Sequence, residues 1–197
     1  MRLSCSCVAE EGRDKVFDRL FADDGDPWDL QSSEYERAKR AATLVALGGR
    51  RFQAGLEVGC AFGLLTEELA QRCERLLALD VSQTALERAL TRLGAFHNVT
   101  LCQSEVPSDW PQGQFDCMIW SEVLYFLSAC EIRQCSALAY AALLPHGICV
   151  LVNWTGENNL PVNGDMAAEL FIGHAGWQVV EQQRADRYRL DVLGRKS

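Results

Sequence analysis

From Ala54 onward, short apolar runs alternate with stretches of helical period. Residues 54–60 (AGLEVGC) predict a strand and residues 64–72 (LLTEELAQR) a helix. Residues 75–80 (RLLALD) predict a second strand, followed by a helix over 82–93 for which Ser82 is a natural N-cap. A third strand is expected at 98–103 and a fourth at 115–121 (FDCMIWS), with a helix from about 128 to 144 after it. Pro145-His146-Gly147 should stop that helix before a fifth strand at 148–153 (ICVLVN). Strands alternating with helices imply right-handed βαβ units. The expected class is therefore α/β, a doubly wound and mainly parallel sheet with helices on both faces.

Both ends break this rhythm. Residues 177–183 and 188–193 are strand-like but separated by only a few polar residues, too few for a crossover helix, which predicts an antiparallel C-terminal hairpin. Before the first strand lie a short amphipathic stretch at 15–21, a polar loop at 22–30 (ADDGDPWDL) and a second helix. Ser33-Glu34-Tyr35-Glu36 fits a capping box opening that helix, which runs to about Leu47 and stops at Gly48-Gly49. Tyr35, Ala38, Ala42 and Val45 share one face at helical spacing, so that face is expected to pack on the domain. Residues 1–50 thus read as an N-terminal helical extension or lid, and 51–197 as the main domain.

The length of 197 residues suits one such domain. A net charge of −8, with no basic run or stripe, argues against nucleic acid or an anionic membrane surface as partner. The nine cysteines are odd in number and scattered, with no C-x-x-C pair, so no zinc or other metal site is expected. Cys5 and Cys7 are a weak metal or redox hint. The N-terminus lacks the apolar core of a signal peptide, and no apolar run approaches the roughly 18 residues of a membrane span. A cytoplasmic protein is expected.

The strongest local signal is Glu57-Val58-Gly59-Cys60-Ala61-Phe62-Gly63, where the first strand gives way to a helix. Glycines there let the backbone turn sharply and approach a ligand. The glycines are spaced G-x-x-x-G, unlike the G-x-G-x-x-G of dinucleotide-binding folds, and Glu57 precedes the first. That carboxylate would repel a pyrophosphate and suits a cationic amino acid. Asp80, ending the second strand, is placed either to accept both hydroxyls of a ribose or to cap the next helix; Ser82 is the better cap. After the third strand, a short polar residue among Ser104 and Glu105 is placed to reach an adenine with Val106 against its face, solvated loop charge being the other reading of Glu105. Ser121-Glu122-Val123-Leu124-Tyr125-Phe126 follows the fourth strand and faces the glycine turn across the expected crevice.

The segments EVGCAFGLLTEELA, LDVSQTALERA, FDCMIWSEVLYFL and DPWDL together resemble the class I S-adenosylmethionine (SAM)-dependent methyltransferases. More closely, they resemble the nodulation-protein-S-like family, which N-methylates the deacetylated glucosamine of chitooligosaccharide signals. The resemblance covers roughly residues 26–152 and implies a seven-stranded sheet, five parallel strands finished by the antiparallel hairpin. It also implies SAM as cofactor, S-adenosylhomocysteine as product, and a small-molecule or oligosaccharide amine as acceptor.

On this reading Glu57 holds the α-amino group of SAM, backbone at Gly59, Ala61 and Gly63 lines its methionine part, and Asp80 binds its ribose. Val81, Ser104, Glu105, Val106 and Ser121 complete the cofactor wall. Trp28 either closes the pocket over the sulfonium or anchors the extension as a core aromatic. Glu122 is the candidate base or cation anchor and Tyr125 its positioning partner. Asn153, Trp154 and Asp165 are candidates for the acceptor side. His146 and His174 read as surface residues. An O-methyltransferase on a small metabolite, a nicotinamide-dependent oxidoreductase and a catalytically silent SAM-binding module are the competing functions.

Overall fold

A computed structural model describes residues 11–173 and 176–196, so Cys5, Cys7 and His174 lie outside the described residues. Seven strands form one sheet: β1 (Phe52–Val58), β2 (Cys73–Asp80), β3 (Val99–Gln103), β4 (Phe115–Ser121), β5 (Leu143–Trp154), β6 (Trp177–Arg184) and β7 (Tyr188–Arg195). Their order is β3-β2-β1-β4-β5-β7-β6. β1 to β5 run parallel, while β7 is antiparallel to β5 and pairs antiparallel with β6. The α/β, mainly parallel class and the C-terminal hairpin are as the pattern predicts.

Alternate residues of each central strand serve opposite layers, which is why these strands read as continuous apolar runs. Met118, Trp120, Cys149 and Leu151 pack on one side, with Ile132, Ala139 and Phe171 from the helices covering it. Cys117, Ile119, Val150 and Val152 pack on the other, with Leu44, Leu47, Leu65 and Leu69. The helices are α1 (Arg13–Asp23), α2 (Glu34–Ala46), α3 (Leu64–Ala70), α4 (Gln83–Leu93), α5 (Ala129–Ala142) and α6 (Gly164–Ile172). Ser82 caps α4 by accepting from Ala85 N, and Ser128 and Glu131 close a reciprocal capping box on α5.

Four expectations are corrected. α5 ends at Ala142, and β5 begins at Leu143, so Pro145-His146-Gly147 lies within the strand segment, with an irregular register opposite Phe115 and Cys117. α6 went unpredicted: Asn163 caps it by accepting from Met166 N, and Phe171 is fully buried. At α2, Ser33 accepts from Glu36 N, but the Glu36 carboxylate turns to Lys39, so the reciprocal half of the box is missing. The inward face of α2 is also different. Val45 is 72% exposed and Ala38 is exposed, whereas Lys39, Thr43 and Leu44 are buried.

Candidate active site

The sheet order reverses between β1 and β4, and in a doubly wound sheet ligands bind in the crevice beyond the strand ends at that point. A cavity of about 490 Å³ occupies this position. Glu57 lines it from the end of β1. The side chain is 2% exposed and its Oε2 has no hydrogen-bond partner. Burial pushes its pKa up to about 7. The chain then turns at Gly59 with φ +80°, where a Cβ would collide with Val123 of the loop after β4. Glycine is therefore what lets the two loops flanking the crevice close on each other.

Asp80 braces this turn from the end of β2. Its Oδ2 accepts from Ala61 N at 2.8 Å and its Oδ1 from Ser82 N at 2.9 Å. Asp80 and Val81 both line the cavity. Burial raises the Asp80 pKa, against the backbone N–H groups of Ser82, Ala61 and Val81. Asp80 thus supports the loop besides facing the ligand space. Ser104, Glu105, Val106 and Ser121 also line the cavity. The Ser104 hydroxyl donates to Asp109 O, and Glu105 is neither free solvated charge nor an open acceptor, since Arg13 of α1 pairs with it at 2.9 Å. Arg13 also holds Glu131 of the α5 cap through two contacts of 2.6 and 2.7 Å, which pins α1 across the crevice.

Trp28 joins both of its sequence readings. It lines the cavity, and it sits in an aromatic cluster with Phe21 at 5.5 Å, Phe17 at 6.1 Å and Phe126 at 6.5 Å between ring centroids. The extension therefore contributes the outer wall.

Across from Glu57 stands Glu122, in the left-handed region with φ +62° and its N–H bonded to Val152 O. Its Oε2 accepts from the Tyr125 hydroxyl, so the predicted pair is brought together. Burial raises the Glu122 pKa, opposed by Lys39 and by the Tyr125 hydrogen bond. Burial and the Glu122 charge raise that of Tyr125. Lys39 and Glu36 of α2, which the sequence reading missed, line the same wall. Lys39 Nζ lies 2.7 Å from Glu36 Oε1 and 3.4 Å from Glu122 Oε1. The signal was there in part: Lys39 follows Tyr35 by one helical turn on the true inward face.

Three predicted residues fall outside the cavity wall. Gly63 caps α3 with φ +76°, and a Cβ there would come within 2.8 Å of Leu93, so its smallness serves the packing of α3 on α4. Asp165, a candidate for the acceptor side, lies off the cavity wall and is ion-paired with Arg184 at 2.7 Å and with the buried Arg189 at 3.5 Å. Asn153 is fully buried with both amide atoms unpartnered, behind the wall that Trp154 forms. Trp154 does line the cavity, edge-on to Tyr35 at 5.5 Å. His146 is exposed, as expected. Among the described residues no cluster of His, Cys, Asp or Glu could hold a metal ion, and no helix is long and apolar enough to cross a membrane.

A sequence profile of the family described as nodulation protein S (NodS) matches residues 9–144. Nodulation protein S of Rhizobium tropici is 33% identical over 174 residues, covering 87% of this chain and 73% of that protein. The chain belongs to the nodulation protein S family. Nodulation protein S of Bradyrhizobium diazoefficiens is 35% identical over 122 residues, which span 61% of this chain and 57% of that relative. The solved N-methyltransferase NodS of Bradyrhizobium japonicum WM9, in complex with S-adenosyl-L-homocysteine, is 24% identical with a TM-score of 0.83 over 95% of this chain and 100% of that one. This NodS-family chain therefore has the class I methyltransferase fold, with its cavity at the switch point of that fold.

Proposed function

We propose that this NodS-family chain is a SAM-dependent N-methyltransferase whose acceptor is a primary amine on an amino sugar or a similar small molecule. The observation that carries the reading is that two carboxylates, the buried Glu57 and the partly buried Glu122, line one cavity from opposite sides of the β1/β4 switch point. The residues present fit SAM. A buried, unpartnered Glu57 oxygen calls for a cationic donor, the Gly59 turn lets the loops after β1 and β4 close around the cavity, and the Trp28 cluster offers aromatic faces to a sulfonium.

When bound, SAM supplies an activated methyl carbon, the amine lone pair forming the new C–N bond as the C–S electron pair leaves to sulfur. Glu57 would neutralise the α-ammonium group, and Asp80 would accept from the ribose hydroxyls. Glu122 would take the proton that an ammonium acceptor must lose before it attacks, with Tyr125 holding the second carboxylate oxygen. Aromatic rings from α1, its following loop and Phe126 would exclude water and fix the line of approach. The cysteines among the described residues are free, as suits a reducing cytoplasm. Titration calorimetry tests the cofactor: heat with S-adenosylhomocysteine is expected, and heat with NAD alone would overturn the assignment.

Asp80→Ala should weaken SAM binding by about 1–3 kcal/mol, through the lost ribose hydrogen bonds. The structure adds a second expectation. The variant should also lose thermal stability, because Ala61 N and Ser82 N lose their acceptor. Calorimetry and melting on the same protein check both; unchanged affinity would remove Asp80 from the cofactor site.

Residues through about 50 are proposed to act as a lid over this cavity. α1 and its following loop supply Arg13, Phe17, Phe21 and Trp28 to the wall. Proteolysis in the segment around Asp23 to Gly25 should slow when SAM or its product is bound. Equal cutting rates with and without ligand would count against a lid.

A further inference from the structure

We propose that Lys39, delivered by α2, is the positioning residue that keeps Glu122 ionised and aimed into the cavity, and that Glu36 restrains it. The proposal rests on the reading of Glu122 as proton acceptor.

Lys39 is 2% exposed, a placement that a lysine tolerates only with compensation by opposite charge. Two carboxylates provide it, but unequally. Glu36 Oε1 forms a short hydrogen bond with Nζ at 2.7 Å, whereas Glu122 Oε1 lies farther off, at 3.4 Å. The ammonium also sits 5.0 Å from the centre of the Tyr35 ring, which fixes its direction. Lys39 therefore reaches Glu122 mainly through charge, its longer contact engaging Oε1 less than the short bond engages Glu36. The other oxygen, Oε2, is occupied by Tyr125. Glu36 holds the lysine back, since a full Lys39–Glu122 hydrogen bond would block the accepting oxygen and weaken it as a base.

Tyr35, Glu36 and Lys39 face Glu122 from α2, and Tyr125 from its own turn. Among the other cations along this cavity, Arg13 is held by Glu105 and Glu131, and Arg40 donates to Leu30 O. The carboxylates Glu57, Asp80 and Glu157 share the cavity and are common to every variant, so they set the baseline and not the differences. Within this set, Lys39 lowers the Glu122 pKa and Glu36 raises it.

The two substitutions should therefore act in opposite directions. Lys39→Met should move the Glu122 titration, and the acid limb of the kcat–pH profile, upward by roughly one unit or more, the size expected for losing a neighbouring opposite charge. Glu36→Gln should move both downward by roughly half a unit to one unit, by removing a like charge. Lys39→Arg should restore values near those of the unaltered protein. The readouts are NMR titration of 13C-labelled glutamate side chains in the full-length chain, with Glu122 assigned through Glu122→Gln, and the pH dependence of methyl transfer.

Should Lys39→Met fail to fold, Glu36→Gln, which keeps the lysine, and Lys39→Arg carry the test. A Glu122 titration that is unmoved by Glu36→Gln, or that shifts the same way when either partner is neutralised, overturns the proposal. A titration that shifts as stated beside an unmoved rate profile upholds the Lys39–Glu122 coupling and instead overturns Glu122 as proton acceptor.

Discussion

Glu122→Gln is expected to bind SAM and S-adenosylhomocysteine as the unaltered protein does, yet to lose on the order of 10²-fold or more in kcat. The amide keeps the shape of the side chain and can still accept from the Tyr125 hydroxyl. What it cannot do is take a proton from an ammonium acceptor. Lys39 keeps Glu36 as counterion, so the buried lysine is not left uncompensated. The defect should shrink as pH rises, because the free amine then needs no base. A variant that loses SAM affinity or stability in place of rate would make Glu122 a brace for the crevice loops. Unaltered turnover would leave Tyr125 and alignment to account for the transfer.

Glu57→Gln should abolish measurable SAM binding while making the unliganded protein more stable. A carboxyl raised from 4.5 to about 7 is bound more tightly to its proton in the folded than in the unfolded chain. Stability from this group is therefore lost as pH climbs from about 4.5 to about 7 and stays lost above, a penalty of about 3 kcal/mol at neutral pH. The amide carries no such penalty. The same shift sets the pH dependence of binding in the unaltered protein. Since only the ionised carboxylate pairs with an ammonium group, affinity should fall up to tenfold per pH unit below about 7 and level off just above it. Melting curves with and without S-adenosylhomocysteine check both halves. A Glu57→Gln protein that melts earlier but is still protected by ligand would show the carboxylate to be structural.

The sheet was legible because β1, β4 and β5 are buried on both faces, and an apolar run such as FDCMIWS has few other uses. The glycine turn and Asp80 were legible for a related reason: backbone geometry at φ +80° and a carboxylate at a strand end leave marks in residue type. α6 was hidden because its short apolar set, Ala167, Ala168 and Phe171, follows a stretch rich in Asn, Gly and Pro that reads as loop. The inward face of α2 was misjudged for a deeper reason. Apolar periodicity pointed to Ala38 and Val45, but the residue that goes inside is a lysine, and a lysine buries only where partners exist. Glu122, its partner from the loop after β4, lies far away in sequence, so no local pattern could announce the pairing. Glu105 illustrates the same limit, its role being set by Arg13 of another helix.

N-methylation of an amino sugar is tested by transfer of the radiolabelled methyl group of SAM into matched acceptors, a deacetylated chitooligosaccharide and its fully N-acetylated counterpart. The product is digested and the labelled atom located by mass spectrometry. Label is expected on the free amino nitrogen, with equimolar formation of S-adenosylhomocysteine and no label in the N-acetylated compound. Equal labelling of both compounds on a hydroxyl oxygen, or tight SAM binding with no transfer to any amine, would contradict N-methylation.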